Sequence, residues 1–547
     1  MVVDIKSLSS MEKVFLDEAP KSGEFTKATV LKGERFSYQI AISQQEEEIA
    51  NFEFKVQSDL PCEVNVFEVG NVPVTMPCYK TRDDNYLRTT PGLYPDILNP
   101  KTYGKLRIVH GQWKSLWISV DVPECIDAKE YNFTFTLTHK GEVCAEKKFG
   151  LKVLGAVLPP QELIFTQWFH NDCLASYYGC NVFSEKHWEI IEKFMLSATR
   201  FGINMIFVPM ITPALDTAVG TERPTVQLVD VTPQNGKYIF GFEKLERYIK
   251  LAQKCGYKYF EFAHLFTQWG ALHAPKVVAK VQGEEKRIFG WETDHNDPEY
   301  VNFLKEMLGA LKVWLKEYGI FDKCFFHISD EPNVKSKGTY AENVNNLKEV
   351  LSDCKVIDAL SNYDFYKEGL VKHPIPATDE IEPFIENNVP NLWAYYCCMQ
   401  RVDVSNHFIA MSGARTRILA TALFKYNIKG FLQWGFNFYY SQLSLKQIDP
   451  FAEVSAIEAF PAGDGFIVYP GADGSPISSL RQYLVCEVMQ DLRAMQLLAK
   501  LTNYETVLSV IEKFGEITFK KYPKTAEELI SIREEINRKI EENYNAN

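Results

Sequence analysis

The sequence lacks three features that would each define a class of protein: long apolar runs, paired-cysteine motifs and an excess of basic residues. No stretch approaches the roughly 18 apolar residues of a transmembrane helix, so we expect no membrane span. The 12 cysteines contain no C-x-x-C motif and one adjacent pair, Cys397 and Cys398. Scattered cysteines in a long chain are typical of reduced thiols, which argues against a disulfide framework or a zinc site.

Positive charge is also scarce, because 59 Lys and Arg face 71 Asp and Glu and the net charge is −12. Such a chain has no electrostatic attraction to a phosphate backbone, so we expect no nucleic-acid partner. No G-x-G-x-x-G or P-loop motif stands at a strand–helix junction. Residues 1–20 have no basic start followed by an apolar run, so we expect no signal peptide and a cytoplasmic location.

The N-terminal part of the chain has the pattern of an all-β domain. Apolar and polar residues alternate at 36–43, 52–58 and 115–122 with no helix between them, and the sequence HKGE at 139–142 predicts a hairpin turn. We therefore expect an antiparallel β-sandwich over residues 1–158. The stretch 76–106 is rich in Pro, Tyr and Asp and predicts one long loop.

Strand and helix signals alternate between residues 159 and 501. Ser184 and Asp297 are candidate helix N-caps, and Gly202 and Gly319 follow the helices that these residues begin. The eight strand candidates are residues 165–170, 204–210, 257–266, 323–332, 356–365, 392–399, 428–438 and 464–471. Eight strand–helix units predict a (β/α)8 TIM-type barrel. The alternative, a doubly wound open sheet, is disfavoured because its phosphate-binding motifs are missing.

Residues 502–547 predict a C-terminal helical extension. Thr525 and Glu528 form a capping-box pattern before an apolar stripe at helical spacing, which consists of Leu529, Ile532, Ile536 and Ile540. We expect this stripe to pack on the barrel or the sandwich. Self-association into a homo-oligomer is the alternative.

The C-terminal ends of the predicted barrel strands carry aromatic rings beside amide, imidazole and carboxylate groups. Active sites of barrels lie at these ends. A pyranose presents apolar C–H faces that stack on aromatic rings and hydroxyls that need polar partners. We therefore expect a carbohydrate site, and the candidate substrate-binding residues are His170, Asp172, His264, Trp269, His273, His327, Asn362, Trp393, Tyr395, Trp434 and Asn437.

The adjacent acids Asp330 and Glu331 are the candidate catalytic residues. Two neighbouring carboxyl groups push their pKa values apart, so that one stays protonated while the other ionises. Neighbours on a regular strand point to opposite faces, but a bend at the strand end before Pro332 would let both reach the mouth. Such a close pair suits a substrate whose own 2-acetamido group is the nucleophile. Glu331 would then be the acid/base and Asp330 would orient the acetamido group.

The four histidines near strand ends also suit a metal-dependent hydrolase. Barrels of that kind usually carry His-x-His on the first strand, and the nearest match here is His170-x-Asp172. Without ligand spacing we expect no metal. Polar contacts to a sugar are the preferred interpretation of these histidines.

Several segments resemble glycoside hydrolase family 123, which lies within a broader group described as a domain of unknown function. The segments are TQWFHNDCLASYYG (166–179), EFAHLFTQWGALHAPK (261–276), FHISDEP (326–332), NLWAYYCC (391–398), GFLQWGFNF (430–438) and PAGDGFIVYPG…PISSLR (461–481). They occur in the family's order and span roughly residues 160–490.

The resemblance implies a β-sandwich, a catalytic barrel and a retaining, substrate-assisted β-N-acetylgalactosaminidase. It implies that Asp330 and Glu331 do the chemistry, that no metal or organic cofactor is used, and that the substrate is a terminal β-GalNAc of a glycosphingolipid-type oligosaccharide. The alternatives are a glycosidase for another hexosamine or an internal linkage, and a non-catalytic glycan-binding protein.

Overall fold

The computed structural model describes residues 1–101 and 104–544. The N-terminal domain is a β-sandwich of two five-stranded sheets, ordered β1-β3-β8-β5-β6 and β2-β10-β9-β4-β7. Its strands are β1 (Val3–Ser9), β2 (Lys27–Lys32), β3 (Arg35–Gln44), β4 (Ile49–Ser58), β5 (Val64–Val74), β6 (Gly92–Pro100), β7 (Lys105–Val109), β8 (Trp113–Asp121), β9 (Glu130–His139) and β10 (Glu142–Val157). All pairings are antiparallel except that of β2 with β10. The predicted sandwich is confirmed.

Alternation of apolar and polar residues builds this sandwich. In β9, Tyr131, Phe133, Phe135 and Leu137 are buried, and the residues between them are more exposed. Lys140 and Gly141 form the predicted hairpin turn with φ values of 51° and 87°, the left-handed geometry that matches strand twist. One face of each sheet therefore packs into a core that the two sheets share.

The predicted loop at 76–106 is wrong in part. Its second half contains β6 and the start of β7, and residues 102–103 lie outside the described residues. The irregular part, 75–91, leaves the sandwich and packs on the second domain. There Asp83 accepts hydrogen bonds from the buried Arg415 at 2.6 and 2.9 Å.

The second domain is a parallel barrel of eight strands. They are β11 (Ile164–Gln167), β12 (Met205–Val208), β15 (Tyr259–Phe262), β18 (Cys324–Phe326), β19 (Lys355–Ala359), β20 (His373–Ile375), β21 (Trp393–Tyr395) and β22 (Gly430–Gln433). Hydrogen bonds connect them in the order β20-β19-β18-β15-β12-β11-β22-β21. A parallel bridge between Ala377 and Tyr395 joins the two ends, so the predicted (β/α)8 barrel is confirmed.

One predicted barrel strand is wrong and another was missed. The segment 464–471 supplies β23 (Val468–Pro470), which pairs with β24 (Pro476–Ser478) in a separate antiparallel ribbon. The sixth barrel strand is instead β20, a three-residue strand with a proline at its centre. The sequence segments at 392–399 and 428–438 thus supply the seventh and eighth strands.

Helices alternate with these strands, and two further β-ribbons lie in the loops. The ribbons are β13 (Asp230–Gln234) with β14 (Lys237–Gly241), and β16 (Val277–Val281) with β17 (Glu284–Phe289). The helices are α1 (Asn171–Tyr177), α2 (Glu185–Arg200), α3 (Glu243–Cys255), α4 (Pro298–Glu317), α5 (Lys337–Leu347), α6 (Tyr363–Lys367), α7 (Glu382–Glu386), α8 (Gly413–Arg417), α9 (Leu419–Lys425), α10 (Leu480–Leu501), α11 (Tyr504–Ile511) and α12 (Ala526–Tyr544). Ser184 and Asp297 cap α2 and α4 as expected.

The C-terminal helices connect the two domains. The apolar stripe of α12 is buried against α10 and the sandwich strands β2 and β10. On α10, the buried Arg481 donates hydrogen bonds to both oxygens of Asp96 in β6, at 2.9 and 2.8 Å. The last sandwich strand ends at Val157 and the first barrel strand begins at Ile164, so the expected boundary at residue 158 lies in the connection. None of the described helices is long and apolar enough to cross a membrane.

Candidate active site

A cavity of about 270 Å³ opens at the C-terminal ends of the barrel strands. Its size is close to the lower end of the roughly 300–1,000 Å³ typical of small-molecule sites. The lining residues are Tyr79, Trp168, His170, Leu215, Asp216, Gln268, Trp269, Asp330, Glu331, Ala359, Tyr395, Cys397, Cys398, Met399, Leu432, Trp434, Gln442 and Phe460. Aromatic rings and acids dominate the wall, which suits a sugar.

Both members of the acidic pair line this cavity. They follow β18, and the backbone at Glu331 has a φ of 45°, in the left-handed region. This turn breaks the alternation of a strand, so adjacent side chains share one space. The bend is fixed on both sides, because Glu331 N donates to Ala359 O at 3.1 Å and Trp269 N donates to Asp330 O at 3.0 Å.

Burial raises the pKa of both acids. The pKa of Asp330 is raised well above its usual value by burial and by the neighbouring Glu331 carboxyl, against the opposing effect of His327. Burial also raises the pKa of Glu331, while hydrogen bonds from Tyr395 and Trp269 lower it. The Tyr395 hydroxyl donates to Glu331 Oε1 at 2.8 Å. The two carboxyl groups therefore titrate as a coupled pair. This pair retains a proton at a pH at which free Asp and Glu side chains would be ionised.

A buried cation lies beneath the pair. His327 is fully buried, and its Nε2 and Nδ1 contact Glu261 Oε1 at 2.7 Å and Asp358 Oδ1 at 3.1 Å. Burial opposes its charge, but these two carboxylates raise the pKa of His327 to about 9. The ring of His264 stacks on it with centroids 4.2 Å apart, and burial and the charge of His327 hold the pKa of His264 well below its usual value. The imidazolium of His327 lowers the pKa of Asp330, whereas the carboxylates of Asp358 and Glu261 raise it.

The aromatic walls are held in place by carboxylates. The Trp168 indole donates to Glu261 Oε1 at 2.9 Å, which ties this wall to the His327 network. The Trp434 indole donates to Asp464 Oδ2 at 2.9 Å. Burial raises the pKa of Asp464 to about 7. Each ring is thus positioned by its polar edge while an apolar face remains for a ligand.

His170 lines the cavity in a fixed, neutral form. Its Nε2 donates to Trp434 O at 2.9 Å, and its Nδ1 accepts from Arg223 Nη2 at 3.2 Å. Burial and the charge of Arg223 lower the pKa of His170 to about 4. Asp172 binds the same guanidinium at 2.7 and 2.8 Å, and Asn437 holds the backbone of His170 at 2.9 and 3.0 Å. Asn437 contacts His170 directly, Asp172 contacts its partner Arg223, and neither residue lines the cavity.

Five other expected substrate-binding residues lie outside the cavity wall. His264 and His327 are buried beneath it, and His273 contacts the Trp291 ring at 5.9 Å between centroids. Asn362 caps α6, where its Oδ1 accepts from Asp364 N. Trp393 packs inside the barrel against the bare backbone of Gly430, where a Cβ would come within 2.0 Å of the ring. Of the expected set, His170, Trp269, Tyr395 and Trp434 line the cavity with the acidic pair.

The sequence did not single out several of the wall residues. Tyr79 comes from the sandwich segment 75–91, and its hydroxyl donates to Ala459 O at 2.8 Å. No local pattern connects such a residue to a barrel. Asp216 and Gln268 follow the second and third barrel strands, and the position of Gln268 beside Trp269 was the one signal that could have identified it.

Two groups of described residues have the donor types of a metal site. They are His170 with Asp172 and Cys173, and His264 with His327 and Asp358. In the first group both Asp172 oxygens accept from Arg223, which places a cation there already. In the second, both nitrogens of His327 are bound by carboxylates. A metal ion would have to displace these contacts.

Comparisons with known proteins agree with this geometry. The sequence matches the model of the glycoside hydrolase 123 catalytic domain over residues 168–498, which is more than half of the chain. A search of curated proteins finds no match. The fold is similar to that of a family 123 glycoside hydrolase from Clostridium perfringens, with a TM-score of 0.73 and 14% identity, covering 100% of this chain and 98% of that chain. A GH5 xyloglucanase from Bacteroides ovatus matches with a TM-score of 0.31 and 10% identity, over 86% of this chain and 99% of that chain, too low to support an argument.

Proposed function

The chain belongs to glycoside hydrolase family 123 and is a glycoside hydrolase, and from this premise we propose that it removes terminal β-linked N-acetylgalactosamine with retention. The observation that carries the proposal is the adjacent pair Asp330 and Glu331 in an aromatic cavity. Retaining enzymes with a protein nucleophile place two carboxyl groups about 5 Å apart on opposite sides of the scissile bond. Neighbouring residues at one turn suit a mechanism in which the substrate supplies the nucleophile.

In the first step Glu331 donates its proton to the glycosidic oxygen as the bond to C1 breaks. The acetamido carbonyl oxygen attacks C1 and closes an oxazolinium ring, while Asp330 accepts a hydrogen bond from the acetamido N–H. This donor favours the ionised form of Asp330 and acts in the same direction as the imidazolium of His327, against the burial and the Glu331 carboxyl that raise the pKa of Asp330 in the free protein. In the proposed complex the one proton of the coupled pair resides on Glu331, because the acetamido N–H then stabilises the carboxylate of Asp330.

In the second step the Glu331 carboxylate takes a proton from water, and the water oxygen attacks C1 from the face that the aglycone left. The C1–oxygen bond of the oxazolinium ring breaks and the acetamido group is restored. Two inversions at C1 give retention. The raised pKa of Glu331 suits a group that must act first as an acid and then as a base.

The cavity-lining aromatic residues Trp168, Trp269, Tyr395 and Trp434 are proposed to contact the sugar ring. His170 is proposed as a neutral hydrogen-bonding partner, positioned by Asn437 and the Asp172–Arg223 ion pair. No cofactor has a role in this mechanism.

The proposed substrate is a terminal β-GalNAc of a glycosphingolipid-type oligosaccharide. The similar Clostridium perfringens enzyme was described in a study of glycolipid glycan hydrolysis, which supports a glycan of that class. A cytoplasmic location is proposed with it, because the 12 cysteines are all unpaired. A homo-oligomer stays a prediction, and the apolar stripe of α12 does not support it, because that stripe is buried within the chain.

The test is hydrolysis of phenyl and 4-nitrophenyl β-GalNAc, with the β-GlcNAc glycosides as comparison, by wild type and Glu331→Gln. We expect release of GalNAc that is insensitive to chelator. Loss of the acid should reduce kcat/KM by about 10²- to 10⁴-fold for the phenyl glycoside. The loss should be smaller for 4-nitrophenol, which leaves without a proton. Full activity of a folded Glu331→Gln protein on both glycosides would refute the assignment.

A further inference from the structure

A third carboxylate, Asp216, enters the catalytic cavity from the loop after β12. Its Oδ2 accepts a hydrogen bond from Leu443 N at 3.0 Å, and no basic side chain is hydrogen-bonded to it among the described residues. The neighbouring Asp172, in contrast, is neutralised by Arg223 through two hydrogen bonds. Asp216 is thus an acceptor on the cavity wall that the catalytic steps above do not use.

Gln268 lies beside Asp216, and in the described part of the chain only the oxygen of its side-chain amide has a hydrogen-bond partner. Its Oε1 accepts from Asp216 N at 2.6 Å, which fixes the amide plane. Its Nε2 is buried and has no hydrogen-bond partner among the residues that the structure describes. A buried, unpaired donor is costly, and it is retained where a ligand supplies the acceptor. Gln268 also lines the cavity.

The backbone around these two residues is held in strained conformations. Asp216, Trp269, Leu443 and Ser444 have φ values of 41°, 61°, 59° and 53°, all in the left-handed region. Ser444 Oγ donates to Asp216 O at 2.6 Å, and Ala218 N donates to Leu443 O at 2.9 Å. Strain of this kind persists only where surrounding contacts enforce it, and it concentrates at ligand sites. The two loops are therefore built to present Asp216 and Gln268 together.

We propose that Asp216 and Gln268 form a hydroxyl-recognition site that selects between C4 epimers of the amino sugar. This inference rests on the proposed function and extends it to specificity. A sugar hydroxyl both donates and accepts, so it can donate to the Asp216 carboxylate and accept from Gln268 Nε2. The catalytic pair engages the substituents at C1 and C2, which leaves the remaining hydroxyls for this site.

The preference between epimers arises because the disfavoured epimer leaves the Asp216 carboxylate and the Gln268 amide without hydrogen-bond partners. GalNAc and GlcNAc differ only in the direction of the hydroxyl at C4. A hydroxyl pointing the wrong way would bury the carboxylate and the amide without partners, which is the strongest basis that a polar site has for rejecting an analogue. Burial raises the pKa of Asp216 to about 6, consistent with an acid that awaits a donor.

The experiment measures kcat/KM for phenyl β-GalNAc and phenyl β-GlcNAc with wild type, Asp216→Asn and Gln268→Glu. Asn keeps an oxygen for Leu443 N, and Glu keeps an oxygen for Asp216 N, so both variants preserve the internal bonds. Asp449→Asn is the matched control, because Asp449 is exposed, lies on the same segment as Leu443 and does not line the cavity. Circular dichroism and thermal unfolding establish that each variant is folded.

We expect either cavity variant to lower kcat/KM for the preferred epimer by about 10- to 100-fold, the value of a hydrogen bond to a charged group. For the disfavoured epimer kcat/KM should fall much less, so the ratio of kcat/KM between the two epimers decreases. Asp449→Asn should keep the wild-type ratio. Equal losses for both epimers, or an unchanged ratio in both folded variants, would overturn this inference alone. A wild type that cleaves neither glycoside would instead refute the proposed function, and this inference with it.

Discussion

The hydrogen bond between Tyr395 and Glu331 should set the pH range in which the proposed acid works. The hydroxyl donates to Glu331 Oε1 at 2.8 Å and stabilises the ionised form, which lowers the pKa of Glu331. Tyr395→Phe removes this donor and keeps the ring. Burial and the contact with Trp269 remain, so the pKa of Glu331 must rise in the variant.

The size of the shift follows from the strength of the bond. A hydrogen bond to a charged group contributes about 1.5–3 kcal/mol. One pKa unit corresponds to about 1.4 kcal/mol, so the pKa should rise by about 1–2 units. Glu331 acts first as an acid, so its protonated form supports activity and the basic limb of the pH profile reports its loss. We therefore expect the basic limb of kcat/KM to move to higher pH by about 1–2 units.

The assay is a pH profile of kcat/KM with phenyl β-GalNAc, whose leaving group needs a proton. Tyr396→Phe is the matched control, because the Tyr396 hydroxyl contacts His407 at 3.1 Å and is not hydrogen-bonded to Glu331. This control should leave the limb in place. A basic limb that stays fixed or moves to lower pH in Tyr395→Phe would refute Glu331 as the acid.

Three further predictions concern binding and stability. Trp269→Ala should raise KM about tenfold, because an exposed wall ring is lost, and Trp269→Phe should raise it less; equal KM values in all three proteins would contradict a stacking role. Asp96→Asn should lower unfolding stability by about 3–5 kcal/mol, because Arg481 is left buried without its counter-ion; a wild-type thermal midpoint would contradict this. The folded pKa of His327 is about 9 against about 6.5 unfolded, so the stability it contributes is present below pH 6.5 and is lost as pH rises through 9. Denaturant unfolding should show this loss, about 3 kcal/mol, in wild type and not in His327→Gln; parallel pH dependences would contradict the buried cation.

Periodicity in the sequence was sufficient for most of the fold. Seven of the barrel strands carry apolar runs that are bounded by helix signals. The exception is β20, where His373, Pro374 and Ile375 are too few to show a period and the proline argues against a strand. The apolar run at 464–471 has strand composition because it is buried, and it forms β23 outside the barrel. The apolar composition of a segment indicates that it is buried. It does not indicate which strand the segment pairs with, because tertiary packing determines that.

The candidate site was predictable where it depends on position along a strand. Residues that come shortly after barrel strands, such as Asp330, Glu331 and Trp434, could be identified because such ends share one mouth. His327 comes directly after β18, but its side chain is fully buried and bonded to Glu261 and Asp358, so position after a strand did not separate it from the wall residues. Tyr79 could not be found at all, because it reaches the cavity from another domain.

The most direct test of the proposed mechanism varies the nucleophile that the substrate is proposed to supply. Glycosides that carry acetamido, fluoroacetamido, difluoroacetamido and trifluoroacetamido groups at C2 differ mainly in the electron density on the carbonyl oxygen. We expect kcat/KM of the wild type to fall stepwise with each fluorine, because the carbonyl oxygen attacks C1, while all products are released with retention. Rates that stay constant across the series would show that another group attacks C1 and would contradict the roles assigned to Asp330 and Glu331.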